Sequence, residues 1–293
     1  MTTEVSFRLA GGMQPLILVP VSVNGSEARE FILDSGAGTT LLTTEMAALA
    51  GVRATGTKEG TGAAGRIVIQ TSHADSLMVG AVTLQDVPVA ITDDVQRIGA
   101  AIGASVHGTL GYTFFQRFRV TIDYRRCQIQ FDSSRAGPDP AGVRFRLAHP
   151  AKPLVLVPAL VDEEGPYEFA IDTGASTTVI SPDLARKLRV QGTPIPAMTG
   201  GGGTVQASAG MIGSLAIGKA RCERVTVVIA DFLNMLAKVI GTPLDGIVGH
   251  NFLREFQVRI DYPNSVLSLG PEHPDGLGAA QQAAAADRAA RGG

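Results

Sequence analysis

Cysteine is scarce in this sequence, with two residues, Cys127 and Cys222, in a chain of 293. Two thiols make neither a disulfide framework nor, on their own, a thiolate metal site. Both are read as buried or half-buried side chains. Charge of either sign is also sparse: charged residues are 18% of the chain and the formal net charge is −2. The basic residues are scattered, so the electrostatic footprint of a nucleic-acid binder is missing. Long apolar runs are missing as well. The stretch 17–23 is broken by Pro20 and Ser22, and no run approaches the roughly 18 residues that span a bilayer. The first ten residues carry Glu4 and Arg8 and no apolar h-region, so no secretory leader is written there. The expectation is a cytoplasmic protein, or a periplasmic or secreted one if a leader was removed before residue 1.

What is present points to a soluble globular protein rich in strands. Hydrophobic residues are 45% of the chain, enough for a packed core and too many for disorder. At about 150 residues per domain, the length suggests two domains. Glycine, at 35 residues in 293, is well above its usual share of about 7%. With frequent β-branched residues, it suggests many short strands joined by tight turns.

The chain is a duplication. Asp34 stands in Phe31-Ile32-Leu33-Asp34-Ser35-Gly36-Ala37 and Asp172 in Phe169-Ala170-Ile171-Asp172-Thr173-Gly174-Ala175, an offset of 138 (172 − 34). The same offset, without a gap, pairs Pro15-Leu16 with Pro153-Leu154, Gly65 with Gly203 and Gly80 with Gly218. Residues 108–124 match 246–262 at eight of seventeen positions, where chance would give about one. The organisation read from this is a first lobe over 1–132, a linker of Pro/Gly/Ser composition over 133–144, a second lobe over 145–271 and a low-complexity tail over 272–293.

Within each copy, apolar runs such as 16–23 and 154–161 and the alternation in 118–122 and 256–260 predict strands. One helix per copy is signalled. Ser181-Pro182-Asp183 supplies a cap, a first-turn proline and an early acid, and Thr43 or Thr44 caps a helix that ends at Gly51. The fold class expected is all-β, mostly strand with one short helix per lobe, in two lobes related by a pseudo-two-fold.

Each copy runs a strand directly into Asp-Ser/Thr-Gly-Ala, which puts a carboxylate on a tight loop beside a hydroxyl and a glycine. A single such tripeptide is a common turn. Two at equivalent positions differ, because a pseudo-two-fold brings equivalent residues together at its axis. Two carboxylates there make a dyad.

These residues, with Thr109-Leu110-Gly111 and Ile247-Val248-Gly249 downstream and the Phe114 to Tyr124 and Phe252 to Tyr262 segments after them, resemble the retropepsin-like aspartic proteases. The last segments look like those of bacterial members. The resemblance covers nearly all of the chain except the tail. It implies that Asp34 and Asp172 are the catalytic pair, that Ser35 and Thr173 cross-brace the two loops, and that Gly36 and Gly174 let the loops meet. Thr109 departs from the aliphatic residue usual there, and Gly38 stands where the second copy has Ser176.

The implied activity is an aspartic endopeptidase acting on a polypeptide, with no metal and no cofactor, and a monomer is expected because both carboxylates lie in one chain. His73, His107, His149, His250 and His273 show no ligand spacing. Gly36-Ala37-Gly38 lacks the third glycine of a dinucleotide fingerprint, and the 200–204 glycine run lacks the lysine of a phosphate loop. That run, with 61–65 in the first copy, reads instead as a flap tip, which makes Gly62, Gly65, Gly200 and Gly203 candidate substrate-binding residues. His250 reads as a packing or surface residue, and Asp123 and Asp261 as structural. A catalytically silent peptide- or protein-binding module that kept the fold is the alternative, and a protein that processes only itself, within 133–142, is a third reading.

Overall fold

The computed structural model describes residues 2–62, 65–134, 136–200 and 202–270. The tail read over 272–293 lies outside the described residues. Among those described, two eight-stranded sheets and one six-stranded sheet hold nearly all the regular structure. Each eight-stranded sheet belongs to one copy, and the strands follow the same order in both.

The apolar runs become central strands. Leu16–Val23 and Lys152–Val161 are buried along most of their length, which explains why they read as nearly continuous hydrophobic stretches. In the first lobe the strand Arg29–Leu33 runs parallel to Gly108–Leu110, and Thr40–Leu42 runs antiparallel along the other side of that same strand. The chain therefore leaves one side of Gly108–Leu110, makes the Asp34 loop and returns on the other. In the second lobe Glu164–Ile171, Gly246–Val248 and Thr178–Ile180 repeat the arrangement around Asp172.

Each lobe carries three short helices: α1 (Thr44–Leu49), α2 (Asp94–Ala101) and α3 (Tyr112–Phe115) in the first, α4 (Pro182–Lys187), α5 (Phe232–Ile240) and α6 (His250–Leu253) in the second. The capped helices are α1 and α4: Thr43 Oγ1 accepts from the Met46 N–H and Ser181 Oγ from the Leu184 N–H, both at 3.1 Å. The other two per lobe go beyond the single helix read per copy. α3 and α6 are single turns, too short for a periodic signal. α2 has a glycine, Gly99, at its centre and is held by packing Val95 and Ile98 on Leu18, Ile32 and Val106, so its stability is tertiary rather than local.

The six-stranded sheet joins the lobes, in the order Thr2–Ser6, Gln128–Asp132, Arg119–Asp123, Val258–Asp261, Val266–Leu269, Val143–Arg144. At its centre Val120 lies opposite Ile260, one strand from each copy. Beside them the Arg119 guanidinium pairs with Asp261 at 2.8 Å, both side chains largely covered. Val143–Arg144 falls at the end of the stretch read as a linker and pairs with Val266 and Leu267. Asp123 accepts the backbone N–H groups of Arg125 and Arg126 in a turn. One core cluster runs through both lobes, and in it the rings of Phe114, Phe118 and Phe131 pack with centroids 5.3 to 5.8 Å apart. The two aspartate loops sit above this shared floor.

Candidate active site

Asp34 follows the last residue of Arg29–Leu33, and its N–H donates to the Leu110 carbonyl at 3.1 Å. Tyr112 N–H donates to the Ala37 carbonyl at 2.9 Å, so the loop is held at both ends by the segment around Gly111. The second loop is held alike, by Asp172 N–H to the Val248 carbonyl at 3.0 Å and His250 N–H to the Ala175 carbonyl at 2.7 Å.

The two loops meet face to face through a reciprocal set of buried hydrogen bonds. Ser35 N–H donates to Thr173 Oγ1 and Thr173 N–H to Ser35 Oγ, each at 3.0 Å. Each hydroxyl then donates across the interface, Ser35 to the Ile171 carbonyl and Thr173 to the Leu33 carbonyl, both at 2.9 Å. The four backbone groups that face the two hydroxyls are thus each paired, as burial requires. Gly36 and Gly174 sit where the contact is closest. A β-carbon on Gly36 would lie 2.6 Å from Asp172 Oδ2, and one on Gly174 2.5 Å from Asp34 Cγ. Any side chain at either position would be driven into the opposite carboxyl group.

Asp34 and Asp172 are half-buried, and their carboxyl groups lie within hydrogen-bonding reach of each other. Burial pushes the pKa of both upward, since it penalises the charged form. For Asp172 the negative charge of Asp34 adds to that rise. For Asp34 the Lys152 ammonium opposes it, as do the backbone N–H groups of Gly36 and Ala37, which donate to Oδ1 at 2.8 and 2.9 Å. Asp172 Oδ1 accepts from Gly174 N–H at 2.8 Å, while Ala175 N–H turns to the Asp172 carbonyl oxygen at 3.2 Å. The two N–H groups on Asp34 Oδ1 favour its ionised form more than the single one on Asp172 Oδ1 does, which biases a shared proton toward Asp172. The Tyr262 hydroxyl, buried and without a partner, lies within the field of both carboxylates.

The four glycines read as flap residues lie at hairpin tips. Gly62 faces Gly65 at the end of Gly56–Gly62 and Gly65–Val79, and Gly200 faces Gly203 at the end of Thr193–Gly200 and Gly203–Ile217. The tips come together: a β-carbon on Gly202 would stand 3.2 Å from the Gly65 carbonyl oxygen and from a methyl group of Ile67. Gly38, the departure in the first loop, lies where a β-carbon would meet Pro153 at 3.0 Å, so the loop is overlain by the start of the second lobe.

Three contributors escape a reading by motif. Thr40 and Thr178 are fully buried, and their hydroxyls accept from the N–H groups of Gly111 and Gly249 at 3.2 and 3.3 Å, tying each aspartate loop to the strand it straddles. Their signal is in the repeat, since both stand six residues after the aspartate. Lys152 bears on both carboxylates, and the offset pairs it with neutral Gln14. His250 is buried beside the Tyr124 ring, centroids 5.0 Å apart, and burial lowers its pKa to about 4, so it is a neutral packing residue. Among the described residues no cluster of His, Cys, Asp or Glu is arranged to hold a metal ion, and no helix is long and apolar enough to cross a membrane.

Two β lobes, each presenting one aspartate loop to a common axis, define a bilobal acid-protease-like architecture. A sequence model of the family described as Aspartyl protease matches the chain twice, over residues 19–114 and 157–252, once in each lobe. The chain belongs to the aspartyl protease family, as two tandem retropepsin-like units. No curated protein matches it.

Proposed function

We propose that the protein is an aspartic endopeptidase in which Asp34 and Asp172 of one chain activate a water against a peptide bond. The observation that carries the reading is the meeting of two half-buried carboxyl groups on loops locked by the buried Ser35 and Thr173 braces, in a chain of this family. Two carboxylates in contact cannot both ionise cheaply, so the pair holds one proton and titrates as a unit; the aspartic-protease dyad is a standard example of this behaviour. With Asp34 as the carboxylate, its oxygen takes a proton from the water as the water oxygen attacks the carbonyl carbon. Asp172 gives its proton to the carbonyl oxygen. Collapse of the resulting diol returns a proton to the leaving nitrogen and breaks the C–N bond, and neither a metal nor a cofactor enters.

The substrate is a polypeptide held extended between the lobes, beneath the hairpins whose tips carry Gly62, Gly65, Gly200 and Gly203. Exposed strand edges pair with an extended chain through its backbone, which suits a protein substrate of varied sequence. Incubation with an unfolded protein should give fragments, and a pepstatin-type inhibitor should abolish them. Rate per chain should stay constant on dilution, because one chain supplies both carboxylates. A peptide bound tightly and recovered uncut would instead favour a silent binding module.

A further inference from the structure

The tip of the second hairpin is tied to the first lobe. In the second lobe, the backbone N–H of Gly202 donates to Asp94 Oδ2 at 3.0 Å. Asp94 is the first residue of α2, in the first lobe, so this bond ties the tip of one lobe to the body of the other. Its neighbour Asp93 is already occupied, accepting from the Thr44 N–H and hydroxyl at 2.9 Å each, which fixes the start of α2 against α1 and leaves Asp94 facing the tip. The Arg97 guanidinium pairs with the other Asp94 oxygen one turn along the helix. At the tip, Gly202 has a φ of +93°, a conformation that side chains rarely adopt, and it rests against Gly65 and Ile67 of the other hairpin.

The duplication does not repeat the acceptor. The residue 138 positions after Asp94 is Phe232, the first residue of α5, and a phenyl ring accepts no such hydrogen bond. Asp94 thus tethers the second tip, whereas the equivalent place on α5 is apolar and the N-cap carboxylate beside it, Asp231, accepts from the Asn234 side chain at 2.9 Å.

We infer that Asp94 is a positioning residue that latches the second hairpin closed across the cleft, so that a substrate chain is gripped beneath it. The inference rests on the protease reading, since it assigns the latch a part in substrate binding, yet the latch itself is measurable without turnover. Asp94 touches neither carboxyl group of the dyad, so its loss should act on binding rather than on the chemical step.

The test compares Asp94→Ala, Asp94→Asn and Arg97→Ala in the full chain by hydrogen exchange and by steady-state kinetics on a peptide substrate. In Asp94→Ala the amides around Gly202 should exchange about 10-fold faster, the scale of one hydrogen bond to a charged acceptor. KM should rise by up to about 10-fold with kcat within about twofold of wild type. Asp94→Asn keeps a carbonyl oxygen to accept the bond and should recover part of both effects. Arg97→Ala keeps the acceptor and should behave as wild type. Unchanged exchange at the tip in Asp94→Ala overturns the latch. So does equal loss in Arg97→Ala, or faster exchange spread through α2, because either would mean that helix stability is responsible. A fall in kcat at constant KM also overturns it. If the wild-type protein cuts nothing, the protease reading fails, while the exchange measurements still decide whether the tether exists.

Discussion

The two lobes share a strand order, a loop geometry and a set of reciprocal braces, yet they treat their aspartates unequally. Asp34 Oδ1 receives two backbone N–H groups where Asp172 Oδ1 receives one. Lys152 enters the neighbourhood of the dyad from the second lobe, and Gln14 stands at its place in the first. Symmetry brings the carboxyl groups together, and departures from symmetry decide which of them holds the proton. A pair of identical environments would leave that choice open. Unequal hydrogen bonding biases it without a change of fold.

The largest effect should come from breaking the pair itself. Asp34→Asn and Asp172→Asn each remove a proton acceptor or donor that the other lobe cannot supply, and each should cost about 10² to 10⁴ in kcat/KM. Both should keep the wild-type far-ultraviolet circular dichroism, since asparagine preserves the shape of the side chain. Near-wild-type cleavage by either variant would show that the two aspartates do not work as a unit.

Next comes the brace. Ser35→Ala strips the acceptor from the Thr173 N–H, and Thr173→Ala does the same to the Ser35 N–H. Each leaves a buried donor unsatisfied, at a cost of about 1 to 3 kcal/mol in denaturant-unfolding free energy. Because the bonds are reciprocal, the double variant should lose less than the sum of the two. Additive losses would mean that the loops are held independently.

Much of this was legible in the chain because it was written locally and twice. The constant offset exposes the duplication, and the two Asp-Ser/Thr-Gly segments each follow an apolar strand. Thr43 and Ser181 cap their helices as residue type and spacing imply. What the chain hides is set by contacts between distant segments. The joining sheet pairs Val120 with Ile260, and no local pattern announces that partner. α2 carries a central glycine and depends on Ile32 and Val106 for its burial. Asp94 is an ordinary first-turn acid until the tip of the other lobe reaches it. Lys152 reads as one more strand-edge cation, and it matters only because burial of the dyad leaves its charge poorly screened.

That charge offers a finer test of the asymmetry. Lys152 lowers the pKa of both carboxyl groups, although burial has the larger and opposite effect. Lys152→Gln, which installs the residue found in the first lobe, should let both pKa values rise. With the one proton proposed for the active pair, the acid limb and the alkaline limb of the kcat/KM profile should both move to higher pH. Lys152→Arg should hold the wild-type profile. A downward shift, or no shift, in Lys152→Gln would remove the lysine from the electrostatics of the pair.

The smallest effect separates the loops themselves. In pepsin-type relatives the residue after Asp-Thr-Gly is often Ser or Thr, whose hydroxyl donates to the carboxylate; here it is Ala37 in one loop and Ala175 in the other. Adding a donor favours the ionised form and lowers the pKa, so Ala37→Ser and Ala175→Ser should each bring the alkaline limb to lower pH. The shifts should not be equal. Ala37 N–H donates to Asp34 Oδ1 at 2.9 Å as well as to the Asp34 carbonyl oxygen at 3.3 Å, whereas Ala175 N–H donates to the Asp172 carbonyl oxygen at 3.2 Å. A new hydroxyl therefore meets the less satisfied carboxyl group in the second lobe. In the proposed mechanism that group also holds the proton whose loss ends activity. Ala175→Ser should move the alkaline limb further than Ala37→Ser in pH-rate profiles measured side by side. Equal shifts would show that the dyad averages its surroundings, and a larger shift from Ala37→Ser would place the proton on Asp34.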